Sequence, residues 1–347
     1  MQVALVRLSA LGDVIHTWPL ATALKEADPS IRLSWVVEES FAPVVAGHPA
    51  VDETITVATR RWRRQLFSGR TRRETATLRR RFRELQPDLC LDTQGVAKSA
   101  LATYWSGATR RVGLARPWRR EALAGLAYTH TLRVSAERPH VVRTNLEFVR
   151  TVGGVPPHEP PPPDGSWLLA AHRDAASPVT LAEPYAVILP GAGNAVKMIA
   201  TSTLATLSRG LVQRGLRVVA AWGPGEKQRA EQVVQSAGEG ALIAPPTDLI
   251  ALAVLLSRAR IVVGADTGPV HLSASLHVPT VSVFTATNPA RNRPLGKNVA
   301  VVSTVSRWPA TVSGSARTGV GRGATAEEIL AAVDGLVSPP PEGELLL

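Results

Sequence analysis

The sequence predicts an α/β protein made of two tandem, Rossmann-like doubly wound domains. Three features carry that expectation: short apolar runs rich in β-branched residues, stretches of helical period between them, and a proline cluster midway that interrupts the alternation before it resumes. The first run, "VALVRL", reads as a buried parallel strand. Val14, Ile15, Trp18, Ala21 and Leu24 then mark one stripe at 3.6 residues per turn, so a helix follows at once and Asp13 falls at or next to its N-cap. "IRLSWVV" and "ETITV" are the next strands, a helical stretch runs up to Gln86, "PDLCLD" is a further strand, and a helix begins near Lys98. "VPPHEPPPPDG", residues 155–165, holds more proline than a helix or a central strand tolerates and is read as a linker. "YAVILP", a helix from Thr201, "RVVAAW", a helix from Glu226, "RIVVG", a helix from Pro269 and "TVSVF" make the second series. A short amphipathic helix near residues 324–337 and a frayed "SPPPEGELLL" end the chain. The expected organisation is an N-terminal domain over 1–154, the linker, a C-terminal domain over 166–323, and a terminal segment 324–347 free to pack back on the N-terminal domain, with a cleft between the two domains.

At 347 residues the chain is long for one core and comfortable for two. No run reaches the ~18 apolar residues of a spanning helix, and the apolar start is broken by Arg7 and Asp13 with no basic leader before it, so a soluble cytoplasmic protein is expected. Cys90, the single cysteine, lies inside "DLCLD" and fits a reducing compartment as a small buried residue. The net charge of +11 is uneven: residues 60–83 hold eleven arginines against Glu74 alone. Such a block suits an anionic partner (a nucleic acid, an acidic membrane surface or a phosphorylated substrate) or else a solvated helix face in an arginine-rich chain. Only Trp62, Phe67 and Phe82 interleave it, and no RNA-binding or helix-turn-helix signature accompanies it, which argues against nucleic acid.

The most specific motif is "VVGADTGPVHLSASLHVPTVSVF". A strand ends at Gly264, Asp266 and Thr267 turn the chain, Gly268 permits close approach of a ligand, and a helix opens at Pro269, its free N–H groups forming an anion site. His271, in the first turn, can point back at the same ligand. Asp266 as a simple helix cap and His271 as a packed histidine would explain each residue singly, but not their combination. "LPGAGNAVKM" imitates a dinucleotide fingerprint without its third glycine, so a glycine turn carrying Lys197 suits a diphosphate better than a dinucleotide. There is no P-loop, no His/Cys set with zinc spacing and no D-x-D pair, so metal-free chemistry without a cofactor is expected.

Taken together, "GDVIHTWPL" from Gly12, "DTQGVAKSA" from Asp92, "REALAGLAY" from Arg120 and "ADTGPVHLSASLHVPTVSVF" from Ala265 make the chain resemble the lipopolysaccharide heptosyltransferases, glycosyltransferase family 9, of the GT-B class. The resemblance implies two Rossmann-like domains facing across a cleft. It also implies inverting, metal-independent transfer of L-glycero-D-manno-heptose from ADP-heptose to Kdo of the inner core, by a monomer at the inner face of the cytoplasmic membrane. Position by position it makes Asp13 the catalytic base, Lys197 the donor-phosphate lysine, Asp266, Thr267, Gly268 and His271 the donor motif, and Glu226 the carboxylate on the adenosine ribose. Gly12, Arg60, Arg61, Arg63, Arg64, Lys98 and Arg120 fall on the side of the anionic Kdo-lipid A acceptor. The chain departs from the family pattern at "KMIATST", where a tryptophan-proline usually follows the donor lysine, at "TATNP" in place of "GPTDP", and over residues 304–323, which have no counterpart. A family member acting on a protein or secondary metabolite, a hexosyltransferase using another nucleotide sugar, and a non-catalytic nucleic-acid-binding protein are the rival readings. Without the family, an inverting transfer still needs a base on the acceptor side and charge stabilisation on the leaving diphosphate, roles that Asp13, Lys197 and the helix start at Gly268 could fill.

Overall fold

A computed structural model describes residues 1–116, 118–134, 140–307, 320–321 and 323–337. The tail after Val337 and residues 308–319, within the segment 304–323, lie outside the described residues. Among the described residues, the contacts divide the chain into two compact units, one up to Arg173 and one from Asp174.

In the first unit six parallel strands, β1 (Gln2–Val6), β2 (Arg32–Glu38), β3 (Glu53–Val57), β4 (Leu89–Asp92), β5 (Arg110–Leu114) and β6 (His130–Leu132), stand in the order β3-β2-β1-β4-β5-β6. Helices α1 (Leu11–Ile15), α2 (Trp18–Ala27), α3 (Thr59–Arg64), α4 (Gly69–Leu85), α5 (Ala97–Trp105), α6 (Val141–Leu146) and α7 (Ser166–Ala171) accompany them. The apolar strands are buried on both faces, as a parallel sheet requires; Val6, Val36, Val57 and Cys90 pack against Leu78 and Phe82 of α4. The helix expected to run on from Val14 is instead two. α1 stops at Ile15 and α2 starts at Trp18, because Pro19 has no N–H to offer the Ile15 carbonyl. α4 opens on Ser68, whose hydroxyl accepts from the Thr71 N–H at 3.1 Å, and closes on Gln86 in the left-handed conformation (φ 45°).

The second unit repeats the design. Strands β7 (Tyr185–Leu189), β8 (Arg217–Ala220), β9 (Ala241–Ile243), β10 (Ile261–Ala265), β11 (Thr280–Phe284) and β12 (Val299–Ser303) stand in the order β12-β11-β10-β7-β8-β9, again all parallel. Its helices are α8 (Thr201–Gln213), α9 (Lys227–Ala237), α10 (Leu249–Ser257), α11 (Gly268–Ser275), α12 (Pro289–Asn292) and α13 (Ala326–Val337). A short antiparallel pair, β13 (Val305–Arg307) with β14 (Val320–Gly321), follows β12. Counted from each unit's first strand, both sheets have the 3-2-1-4-5-6 order, so the direction of winding reverses between β1 and β4 and between β7 and β10.

One expected boundary moves, and the terminal helix finds its partners. α7 belongs to the first unit, which moves the boundary from residue 166 to 174: the Trp167 ring meets Trp18 edge-on with centroids 5.4 Å apart and His48 at 5.2 Å. The terminal helix α13 packs within the second unit. Its Ile329 and Val333 are fully buried with Leu207 and Leu211 of α8 and with Val281 of β11, and Arg214 grips Asp334 at 2.7 Å. An amphipathic helix buries its stripe where an open sheet face is nearest in the chain, and that face is the one left by β11 and β12.

Candidate active site

Ligands of doubly wound sheets bind beyond the strand ends where the winding reverses. In each unit the predicted residues cluster at that point.

In the first unit, the chain leaves β1 through Arg7, Ser9 and Ala10 into α1, and leaves β4 through Thr93 and Gln94 toward α5. Asp13 is not the N-cap. Ala10 takes that position, and Asp13 lies in the first turn, its Oδ2 3.4 Å from the Ala10 N–H. Its Oδ1 is held by Arg7 Nη2 at 2.9 Å, and Arg120 Nη1 lies 3.9 Å from Oδ2. Arg7 is nearly buried (4%), and it also donates to the Thr93 carbonyl, so one guanidinium ties the β1 and β4 exits to the carboxylate. The Gln94 side chain makes the same connection, accepting from Leu8 N–H at 2.9 Å and donating to Ser9 Oγ at 3.3 Å. Lys98, on the first turn of α5, donates to Ser9 Oγ at 2.7 Å. Burial pulls the Lys98 ammonium below the usual lysine range; Glu38 opposes the shift, and the charges of Arg60, Arg120 and Arg63 add to it. Like charges assembled around a half-buried ammonium are what an anionic ligand would relieve. Gly12 is buried in α1, its carbonyl accepting from the His16 N–H at 2.9 Å.

The arginine block divides. Glu38, buried at the end of β2, accepts from Thr59 Oγ1 at 2.6 Å and from the Arg60 N–H at 3.2 Å, which fixes the start of α3. Arg60, Arg63 and Arg64 are exposed. Arg61 turns the other way, pairing with Glu39 at 2.6 Å and with Glu74 at 2.9 Å, while Trp62 Nε1 donates to Glu74 at 2.6 Å. Arg61 is thus a clasp between α3 and α4, unlike its exposed neighbours. Asp92, the second carboxylate at a strand end, is fully buried and accepts from the Gln94 and Gly95 N–H groups, Ser99 Oγ and Tyr128 OH at 2.7–3.0 Å. Burial raises its carboxyl above the usual range despite those bonds, and it shapes the β4 exit rather than meeting a substrate. Burial also pushes the Cys90 thiol up to about 12, an inert packing group as expected.

In the second unit, Asp266 follows β10 and Lys197 lies in the loop after β7. Lys197 Nζ donates to Asp266 Oδ2 at 2.7 Å, Thr287 Oγ1 donates to the same oxygen at 2.6 Å, and His271 Nε2 lies 3.3 Å from Oδ1. Burial alone would raise the Asp266 carboxyl; the bond and charge of His271, then the charge and bond of Lys197, outweigh it and hold the group well below the usual carboxylate range. Asp266 therefore does not cap α11. Thr267 occupies the N-cap position, and the helix opens one residue early, at Gly268, with Pro269 in its first turn. Glu226 caps the start of α9 by position and accepts from the Gly223 N–H at 2.8 Å. Its carboxylate lies so close to Gly191 that a Cβ there would come within 1.9–2.1 Å of it, which is the physical reason for the first glycine of "PGAG". Arg229 of α9 holds the Lys197 loop by donating to the Pro190 carbonyl at 2.7 Å, to Thr201 Oγ1 at 3.0 Å and to the Ile199 carbonyl, and Thr285 Oγ1 donates to the Val196 carbonyl at 2.9 Å.

Arg7, Gln94, Thr287 and Arg229 were not anticipated. The one signal for any of them was the arginine ending the apolar run "VALVRL", since a charge is rarely buried without a partner. Among the described residues no group of three or more His, Cys, Asp and Glu side chains could hold a metal ion, and no helix is long and apolar enough to cross a membrane.

Two sheets of Rossmann order, one carrying a guanidinium-held carboxylate at its switch point and the other a lysine, a buried aspartate and a helix N-terminus at its own, define a glycosyltransferase of the GT-B type. The E. coli heptosyltransferase WaaC with ADP superposes with a TM-score of 0.79 at 30% identity, covering 96% of this chain and 99% of that one. WaaC with ADP-2-deoxy-2-fluoro heptose matches with a TM-score of 0.75 over the same shares. Lipopolysaccharide heptosyltransferase 1 of Pseudomonas aeruginosa is 36% identical over 86% of this chain and 82% of its own length. The model of glycosyltransferase family 9 (heptosyltransferase) matches residues 75–317. The chain belongs to that family and is a heptosyltransferase.

Proposed function

We propose that this chain moves L-glycero-D-manno-heptose from ADP-heptose to a Kdo hydroxyl of the lipopolysaccharide inner core, with inversion and without a metal or other cofactor. The observation that carries the donor side is the Lys197–Asp266–His271 set at the β7/β10 switch point. Solved relatives at 30% identity carry ADP and an ADP-heptose analogue, and curated relatives are lipopolysaccharide heptosyltransferases. Lys197 shifts from Asp266 to the diphosphate, adding its charge to the N–H groups at the start of α11, while Asp266 keeps His271 in place. Glu226 accepts from the adenosine ribose. On the acceptor side Arg60, Arg63, Arg64, Lys98 and Arg120 receive the anionic Kdo-lipid A, with Gly12 leaving room beside Asp13.

The acceptor oxygen attacks the anomeric carbon as the bond to the β-phosphate breaks, ADP departs with the electron pair, and the hydroxyl proton passes to Asp13. A carboxylate held by Arg7 is a modest base, so the proton moves late, when the hydroxyl has become acidic through bond formation. In this reading the chain works as a monomer from the cytoplasm at the inner face of the membrane, where the lipid acceptor would be embedded. The test is a donor screen with a Kdo-bearing lipid A precursor, comparing ADP-heptose with UDP- and GDP-sugars, with and without EDTA. Transfer from ADP-heptose alone and indifference to EDTA are expected. A preference for another nucleotide sugar, or loss of rate on chelation with recovery on adding magnesium or manganese, would remove the corresponding part of the reading.

A further inference from the structure

Among the described residues, every exposed large hydrophobic side chain except Val196 lies in the first unit. Four of them lie on two elements that pack together. Leu101 (46%) and Tyr104 (60%) are one turn apart on the outer face of α5, and Leu123 (72%) and Leu126 (84%) are one turn apart on the 3-10 helix Ala122–Ala127. The two elements pack on each other through Ala100, Ala124 and Ala127. The arrangement is the reverse of an ordinary amphipathic element: alanines point in and leucines point out, which no core requires.

Guanidinium groups rim the patch. Arg111 lies 5.9 Å from the Tyr104 ring centre and donates to the Ala127 carbonyl at 2.8 Å. Arg119 lies 6.0 Å from the Tyr128 ring, in a space that Gly125 leaves open, where a Cβ would come within 2.6 Å of the guanidinium. Arg120, three residues before Leu123, is the arginine 3.9 Å from Asp13. The surface is therefore an apolar centre with a cationic edge, contiguous with the acceptor half-site.

We propose that this surface, formed by α5 and the 3-10 helix Ala122–Ala127, docks the enzyme on an anionic lipid bilayer, the leucines entering the acyl layer and the arginines meeting headgroup phosphates. The inference rests on the reading above for the lipid nature of the acceptor, and adds where the bilayer is met. Charge complementarity selects this occupant. A second copy of the chain, docked by the same patch about a two-fold axis, would bring the Arg111, Arg119 and Arg120 side chains of both copies together. Tyr104, with an apolar ring and a polar tip, suits the boundary between the two layers.

The test is flotation of the full chain with mixed phosphatidylethanolamine–phosphatidylglycerol vesicles and with phosphatidylcholine vesicles. It compares wild type with Leu123→Ser/Leu126→Ser and with Leu101→Ser/Tyr104→Ser, each also assayed for turnover on a water-soluble Kdo acceptor without acyl chains. Wild type should float with the anionic vesicles only. Each double variant should lose on the order of tenfold or more of that partitioning, as expected for removing two large apolar groups, and should turn over the soluble acceptor at the wild-type rate. Four results overturn the proposal. They are undiminished flotation of both variants, loss of flotation only in Leu66→Ser/Phe67→Ser, loss of turnover on the soluble acceptor, or a wild-type dimer that the variants dissociate. Absence of transfer to every acceptor by wild type would instead strike the heptosyltransferase reading, and flotation would still decide the surface.

Discussion

Asp13 and Lys197 are both held in ion pairs, and the partners decide what each substitution does. Arg7 is nearly buried and its charge is matched by Asp13, so Asp13→Asn removes a counter-charge from a desolvated guanidinium even though Asn still accepts a hydrogen bond. The melting temperature of Asp13→Asn should fall, by the equivalent of about 1–3 kcal/mol; thermal unfolding by circular dichroism reads it, and an unchanged midpoint would mean that Arg7 is satisfied by the Thr93 carbonyl alone. A helix cap alone would lose nothing by this change, since Asn caps as well as Asp; the cost comes from Arg7, six residues earlier at the exit of β1. Lys197→Ala removes the cation meant for the diphosphate. ADP affinity should drop by roughly 1.5–3 kcal/mol, about ten- to a hundredfold, in a calorimetric titration of both proteins; equal affinities would take Lys197 out of the donor site. Asp266, held below the usual carboxylate range in the folded protein, contributes stability that is fully present above the unfolded carboxylate pKa and disappears only as pH falls through its own lower value.

At the scale of elements, the strands were legible because buried parallel strands are continuous apolar runs, and the helices because their stripes have the right period. What stayed hidden is what a partner distant in sequence determines. The break between α1 and α2 could have been read from Pro19, but α13 could be assigned to the second unit only once β11 and β12 were seen to leave a face open. Among arginines of one composition, nothing local separates Arg61 from Arg60 and Arg63. Their roles part because Glu39 and Glu74 happen to face one and not the others. Burial would raise Glu74, but hydrogen bonds from Arg70, Trp62 and Arg61 lower it to about 2. A depressed carboxylate stabilises above its unfolded pKa, so the clasp between α3 and α4 is intact at neutral pH and opens as pH falls from the ordinary glutamate value through about 2. Glu74→Gln should open it at neutral pH. Amide exchange over residues 59–68 should quicken while the melting temperature changes little, since surface pairs contribute little to global stability; unaltered exchange would show that Glu38 alone holds α3.

For the whole molecule, most of the excess of charge lies in the first unit, and substrates should feel it unequally. Raising salt until the Debye length falls from about 10 Å to about 3 Å should raise the acceptor KM several-fold and leave the donor KM nearly unchanged. Arg60→Ala/Arg63→Ala/Arg64→Ala should mimic the salt. Equal effects on both substrates, or none, would return these arginines to a solvated face. The proposed donor residues are legible as a motif because Asp266, Thr267, Gly268 and His271 lie within six positions, whereas the proposed acceptor side is gathered from α1, α3, α5 and the segment after β5 and is reached through the family resemblance. The central claim is that Asp13 takes the acceptor proton while the second unit holds the donor. Its most direct test is heptose transfer from ADP-heptose to the Kdo-lipid A acceptor, followed by mass spectrometry, for wild type and Asp13→Asn at saturating substrates and at a temperature where both are folded. The account predicts one added heptose for wild type, and a variant that binds ADP normally but turns over about 10²–10⁴ times more slowly. Near-normal turnover by the folded variant would contradict it.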